Sequence, residues 1–286
     1  MALDLTMAES VSGRTTVSWD PGRAILYALA VGAGGEDPET ELEFTTDNTV
    51  GLEQAVLPTF PLALETETNV PWSGMKAGSL LHAGRSLTVH SEIPPKGEAV
   101  VKSGVGKIYD KGNSALVEMW HTMSDTSGRL LAVIEAQVLL RDQGGFGGGR
   151  GVTDRWQLPD RKPDAVVEQA TMPWQALLYR LSNGHQGHLS PLHTDPEYAS
   201  QIGFKRPPVQ GDCTFGFAGR ALLQTVLGGD PSMFGSMAAR FVEPVIPGDV
   251  LRTSIWDEGE QILFVTRTGK DVLVLDRGVA ARRSQS

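Results

Sequence analysis

Residues 182 to 199, SNGHQGHLSPLHTDPEYA, gather His185, His188 and His193 with Asp195 and Glu197 among turn-forming Gly, Asn and Pro. Imidazole changes charge near neutral pH, so such a loop can move protons; it can also bind a metal, or simply turn. His185, His188 and His193 with Asp195 or Asp212 hold enough nitrogen and oxygen donors for zinc or iron, yet the spacing H-x-x-H-x4-H matches no metal signature. No metal is expected, and His185 and Gln186 are read as solvated loop-tip residues. Asp195 can cap a short helix with Pro196 at its first position, which would anchor the loop carrying His193.

Two segments must hold this loop. Upstream, MPWQALLYRLSNG from Met172 has Pro173 early and Gly184 late, the marks of a helix. Downstream, CTFGFAGRALLQTVLGG sets Phe215, Ala218, Leu222 and Val226 near helical spacing and stops at Gly228 and Gly229. Both have counterparts in the first half of the chain. DPGRAILYALAVGAGGED from Asp20 repeats the first helix, with Tyr27 matching Tyr179, whereas VGLEQAVLPTFPLALETET is interrupted by Pro58 and Pro61 and is less regular. LTVHSEIPPKGEAVVKSGVGKIYDKG pairs with AARFVEPVIPGDVLRTSIWDEG, each a strand, a Pro-Gly turn, a strand and an acidic-Gly turn.

Alternating apolar runs close each copy, SALVEMWHTM with LLAVIEAQVLL and QILFVTRT with DVLVLDRGVAA, read as antiparallel hairpins joined at SDTSGR and GK. His90 and His121 fall in first-half strands and are expected to be structural. Six glycines between residues 144 and 151 leave no side chains to bury and mark a linker. The expected division is an N-terminal repeat over 1–141, a linker over 142–165 and a C-terminal repeat over 166–286. The class is α+β: a central helix wrapped by a curved antiparallel sheet, twice over, a double hot-dog arrangement.

Composition narrows the partners. A net charge of -9 over 286 residues disfavours nucleic acid and anionic membranes. No run reaches the roughly 18 apolar residues of a membrane helix. The N-terminus does not read as a signal peptide, and the single Cys213 cannot form an intramolecular disulfide, so a cytoplasmic protein is expected. Nucleophile elbows, phosphate loops and dinucleotide fingerprints do not occur in a strand-turn-helix context, and no cofactor is expected.

The segments LLYRLS, PLHTDPEYASQIGF and RPPVQGDCTFGFAGRAL resemble the MaoC-like (R)-specific enoyl-CoA hydratases, also called enoyl-CoA hydratase 2. The likeness spans nearly the whole chain, including the LLYA-VG helix and the Gly-rich linker. It implies a double hot-dog lyase that adds water to an enoyl thioester, with His193 as general base. In that family Gly-Asp-x-Asn-Pro-Leu-His supplies an Asp beside the His. Here His188 takes the Asp position, Ser190 the Asn position, and about four residues are inserted after Ser182.

A later His-Gly-Leu-Cys segment reads Gln210-Gly211-Asp212-Cys213, so a histidine is replaced and a carboxylate gained. The Gly211 N–H is expected at the oxyanion. His188 or Asp212 would do the work of the lost Asp, unless the loop carries His188 away and Asp212 merely caps its helix. Gln210, Ser190 and Tyr179 are expected at the substrate, Gln210 either donating to the carbonyl or bracing a loop. Lys205, Arg206 and Arg220 could meet the phosphates of CoA or be surface charges.

The N-terminal repeat, with no counterpart of His193, is expected to shape the tunnel. The alternatives are a scaffold diverted to a non-thioester, aromatic substrate by elimination or carbon–carbon cleavage, and a non-catalytic acyl-binding partner subunit. A further homodimer is left open.

Overall fold

In the computed structural model the described residues are 3–66, 69–74, 76, 78–151, 155–183 and 190–283. The N-terminal repeat supplies β1 (Ser10–Trp19), β2 (Leu80–Val89), β3 (Gly97–Asp110), β4 (Ser114–Asp125) and β5 (Leu130–Arg141). The C-terminal repeat supplies β6 (Ala165–Ala170), β7 (Phe234–Phe241), β8 (Val250–Asp257), β9 (Ile262–Thr268) and β10 (Leu273–Arg282). They form one ten-stranded sheet in the order β1-β3-β4-β5-β2-β7-β10-β9-β8-β6. Read outward from the β2/β7 joint, the two halves have the same strand order, and the joint itself is antiparallel, with Leu87 opposite Met237. That is the double hot-dog repeat, closed into a continuous sheet.

The helices are α1 (Pro21–Ala30), α2 (Leu42–Thr45), α3 (Gln175–Ser182), α4 (Pro196–Gln201) and α5 (Gly211–Thr225). Asp20 caps α1 by accepting from the Arg23 N–H, with Pro21 preset for the first turn. α1 and α3 are repeat mates, and their matched tyrosines meet with ring centroids 6.2 Å apart. Gln175 ties them by donating Nε2 to the Ala30 carbonyl at 2.6 Å.

Helix α5 is the central one. Phe215, Phe217, Ala218, Ala221 and Leu222 are all fully buried, so it is enclosed on every side rather than amphipathic. Its glycines let neighbours approach: a Cβ on Gly216 would lie 2.5 Å from Val31 Cγ1. The N-terminal counterpart is reduced to a five-residue 3-10 turn, Phe60–Leu64. Pro58 and Pro61 lack the N–H groups that an α-helix running through them would need.

The linker does bury side chains. Phe146 packs against the cluster of Val105, Val117 and Leu140, and Trp156 and Leu158 pack on Trp256, Leu263 and Val265. Its glycines serve Asp110, whose carboxylate accepts from the N–H groups of Gly145 (3.1 Å) and Gly147 (2.7 Å). No helix among the described residues is long and apolar enough to cross a membrane.

Candidate active site

His193 ends a 3-10 turn, Pro191–His193, whose cap is Ser190. Ser190 Oγ accepts from the Leu192 N–H at 3.3 Å, so this hydroxyl shapes the turn. Asp195 caps α4 as the sequence predicts, accepting from the N–H groups of Glu197 and Tyr198 at 2.8 and 3.2 Å. The imidazole is thus held between two capped turns.

His193 Nδ1 lies 3.0 Å from the Pro208 carbonyl oxygen. A carbonyl can only accept, so Nδ1 carries the proton and Nε2 presents its lone pair. Burial lowers the His193 pKa, against the Pro208 bond and the Asp212 charge, which raise it. The ring is therefore a neutral base near pH 7.

Gly211 is the first residue of α5, and Gln210 before it provides no side-chain cap. The first N–H groups of this helix are consequently left to other partners. Gln210 spends its amide otherwise: Nε2 donates to the Ala176 carbonyl at 3.0 Å, bracing α5 against α3. Its Oε1 is buried without a partner among the described residues, an open acceptor at the start of α5. Tyr179 is 1% exposed, with its hydroxyl unpartnered among the described residues, and burial raises its pKa well above the usual phenol.

Asp212 does not cap α5. Arg85 of β2 donates Nε to its Oδ1 at 2.8 Å and Nη2 to its Oδ2, while Nη1 and Nη2 donate to the two oxygens of Glu65 at 2.9 Å. Glu65 is the residue that follows the Phe60–Leu64 turn, and His121 Nδ1 of β4 lies 3.2 Å from it. Burial pushes the Asp212 carboxyl up, but the Arg85 and His82 charges outweigh it and bring it down to about 2. The same guanidinium, with His121, keeps Glu65 below its usual range despite burial. Asp212 is thus a fixed carboxylate, bound across the two repeats.

His82, Arg85 and Glu65 do not stand out in the sequence. Three positions apart on one strand, His82 and Arg85 would point to opposite faces. A bulge between His82 and Gly84 in the pairing with β5 inserts one residue and brings both to Asp212, His82 Nδ1 lying 3.9 Å from Asp212 Oδ1. The signal present was Gly84, a small residue inside an otherwise regular strand.

Arg220 is neither a phosphate ligand nor a surface charge. It is 3% exposed and donates to Glu41 Oε1 and Oε2 at 2.7 and 2.6 Å and to Glu36 at 2.6 Å. Lys205 and Arg206 are exposed in the connection before α5. His185, Gln186 and His188 lie outside the described residues. A surface groove of about 600 Å³, lined by Gln137, Arg240 and Arg277 among others, does not include His193.

Two family models cover most of the chain: the MFE-2 hydratase 2 N-terminal domain matches residues 18–142 and the MaoC like domain residues 155–276. The chain is 38% identical to 3-hydroxyacyl-thioester dehydratase Y of Mycobacterium tuberculosis, over 97% of this chain and 98% of that protein. It is 32% identical to the peroxisomal enoyl-CoA hydratase 2 of Arabidopsis thaliana, over 92% and 90%. A MaoC-like dehydratase structure from Phytophthora capsici superposes with a TM-score of 0.84 at 29% identity, over 98% of each chain. A double hot-dog protein of Mycobacterium tuberculosis, 15% identical, shares the fold at a TM-score of 0.60. With both halves matched in order and full-length relatives above 30% identity, the chain belongs to the MaoC-like family of enoyl-CoA hydratase 2 and 3-hydroxyacyl-thioester dehydratases, hydro-lyases on a double hot-dog fold.

Proposed function

We propose that this protein reversibly hydrates a trans-2-enoyl-CoA to a 3-hydroxyacyl-CoA, with His193 as general base and the Gly211 N–H at the thioester oxygen. The observation that carries this is the Nδ1 hydrogen bond of His193 to Pro208, which leaves Nε2 as a lone pair on a neutral ring. Water loses a proton to that nitrogen as its oxygen attacks the β-carbon, and the π electrons move onto the thioester oxygen. A helix N-terminus stabilises that charge. The enolate then collapses, and the α-carbon takes the proton back from the imidazolium.

Lys205 and Arg206, exposed beside the start of α5, are the cations available to the CoA phosphates. Buried, unpaired Cys213 fits the reducing cytoplasm expected from the sequence. The test is loss of enoyl absorbance from crotonyl-CoA. Wild-type protein should hydrate it and His193→Ala should not; equal rates would remove His193 from this role.

A further inference from the structure

We propose that His82, contributed by the N-terminal repeat, is the second catalytic imidazole of the site, its Nε2 accepting a hydrogen bond from the water that His193 deprotonates. This rests on the hydration reaction above. A water poised to attack has two O–H bonds, and one base orients only one of them. The family motif would supply a carboxylate for the second; in this sequence His188 holds that position.

Both partly buried carboxylates nearby are already held by Arg85. Asp212 has one oxygen on Arg85 Nε and the other on Nη2, and Glu65 has both oxygens on the same guanidinium with His121 beside it. His82 differs. Its ring leans on Phe241 with centroids 4.8 Å apart, and Phe241 in turn covers Gly211, where a Cβ would lie 3.0 Å from Cε1. His82 therefore sits over the N-terminus of α5, with Asp212 flanking it on one side and acting electrostatically on His193 as well.

The two ring nitrogens have unequal surroundings. Nδ1 faces the Asp212 carboxylate at 3.9 Å, which favours the proton there, whereas Nε2 is buried and has no partner among the described residues. Burial and then the Arg85 charge lower the ring's pKa to about 4, so at neutral pH Nε2 is an acceptor. An acceptor buried without a partner is expected to be completed by a ligand or a water. The bulge before Gly84 brings His82 to the same side of β2 as Arg85, and the Arg85 clamp holds the carboxylate that faces Nδ1.

The chemistry balances with no further reagent. One water O–H bond breaks, its proton passes to His193 Nε2 and then to the α-carbon, and the hydroxyl oxygen bonds the β-carbon. His82 holds the surviving O–H throughout and ends as it began. Asp212 and Arg85 act through His82 and are positioning residues.

The experiment uses the full chain with crotonyl-CoA. His82→Asn keeps a donor towards Asp212 and removes the Nε2 acceptor; kcat should fall about 100-fold, with KM and the thermal midpoint nearly unchanged. In His82→Ala, added imidazole should restore part of kcat. A His82→Asn kcat within about threefold of an active wild type would overturn the proposal while leaving the hydration reaction standing. Should His82→Asn fail to fold, the His82→Ala protein decides: recovery with imidazole supports the role, and none refutes it. A wild type that leaves crotonyl-CoA untouched sinks the hydration reading and this proposal together.

Discussion

The two repeats share a strand order and differ in what fills it. The C-terminal half keeps a fifteen-residue central helix and the loop bearing His193; the N-terminal half has a five-residue turn in the helix's place. Yet the N-terminal half is not inert. Its strand β2 delivers Arg85 and His82 to Asp212 of the other half, its turn delivers Glu65 to the same Arg85, and its strand β4 sets His121 against Glu65. Repetition built the scaffold symmetrically, and divergence divided it: the central helix and the His193 loop on one side, the Arg85–Glu65 support of Asp212 on the other.

That division can be broken at its strongest point by His193→Ala, expected to lower kcat/KM by about 10²–10⁴ with little change in folding. Steady-state assays beside a thermal melt would show it. Arg85→Met attacks the support instead. It leaves Asp212 and Glu65 facing each other without a cation, and a loss of about 3–5 kcal/mol is expected in urea unfolding. A variant of unchanged stability would mean the clamp is dispensable.

Closeness between the repeats is probed by Gly216→Ala on α5, whose new methyl would meet Val31 Cγ1 at 2.5 Å and the Tyr27 hydroxyl at 3.0 Å. About 1–3 kcal/mol of overpacking should appear as a lowered midpoint.

Acidity gives a gentler handle. The folded His82 pKa is about 4 against an ordinary 6.5, so between these values the unfolded chain binds a proton the folded one refuses. Stability from this residue is complete above pH 6.5 and lost as pH falls through 4; Asp212 adds a second loss from 3.8 down to about 2. Melts between pH 7 and 4 should steepen accordingly, and His82→Asn should flatten that stretch.

The smallest effect belongs to the exposed pair. Lys205→Ala with Arg206→Ala should raise KM for crotonyl-CoA by a few-fold or less, and salt should erase the difference, as screened surface charges of about 0.2–1 kcal/mol require.

How much of this the sequence discloses depends on which rule a residue obeys. Local punctuation was legible: Asp20 and Asp195 cap the helices they precede, and the meander of each repeat follows its alternating runs. The Pro-Leu-His segment made the turn that holds His193 legible as well. What escaped depends on distance or on a broken period. Arg85 reads as one outward charge in a strand until the bulge reverses its neighbour, and Glu65 follows a turn whose helix is gone. For Asp212 the sequence left a helix cap and a substitute for the lost Asp both open, because its actual partner lies 127 positions away. Arg220 sat on a helix read as amphipathic, and only the enclosure of that helix explains its pairing with Glu36 and Glu41.

The Arg85–Asp212 bond has a kinetic meaning as well. Contacts between residues so distant in the chain form only after both halves have been synthesised and docked, because a long loop must close first. A ribosome-bound N-terminal half would expose the unpaired edge of β2 and leave Arg85 with Glu65 alone, without Asp212 and without the loop that bears His193. Catalytic competence in this protein therefore arrives last, and the appearance of activity during refolding should time the docking of the halves rather than the formation of either one.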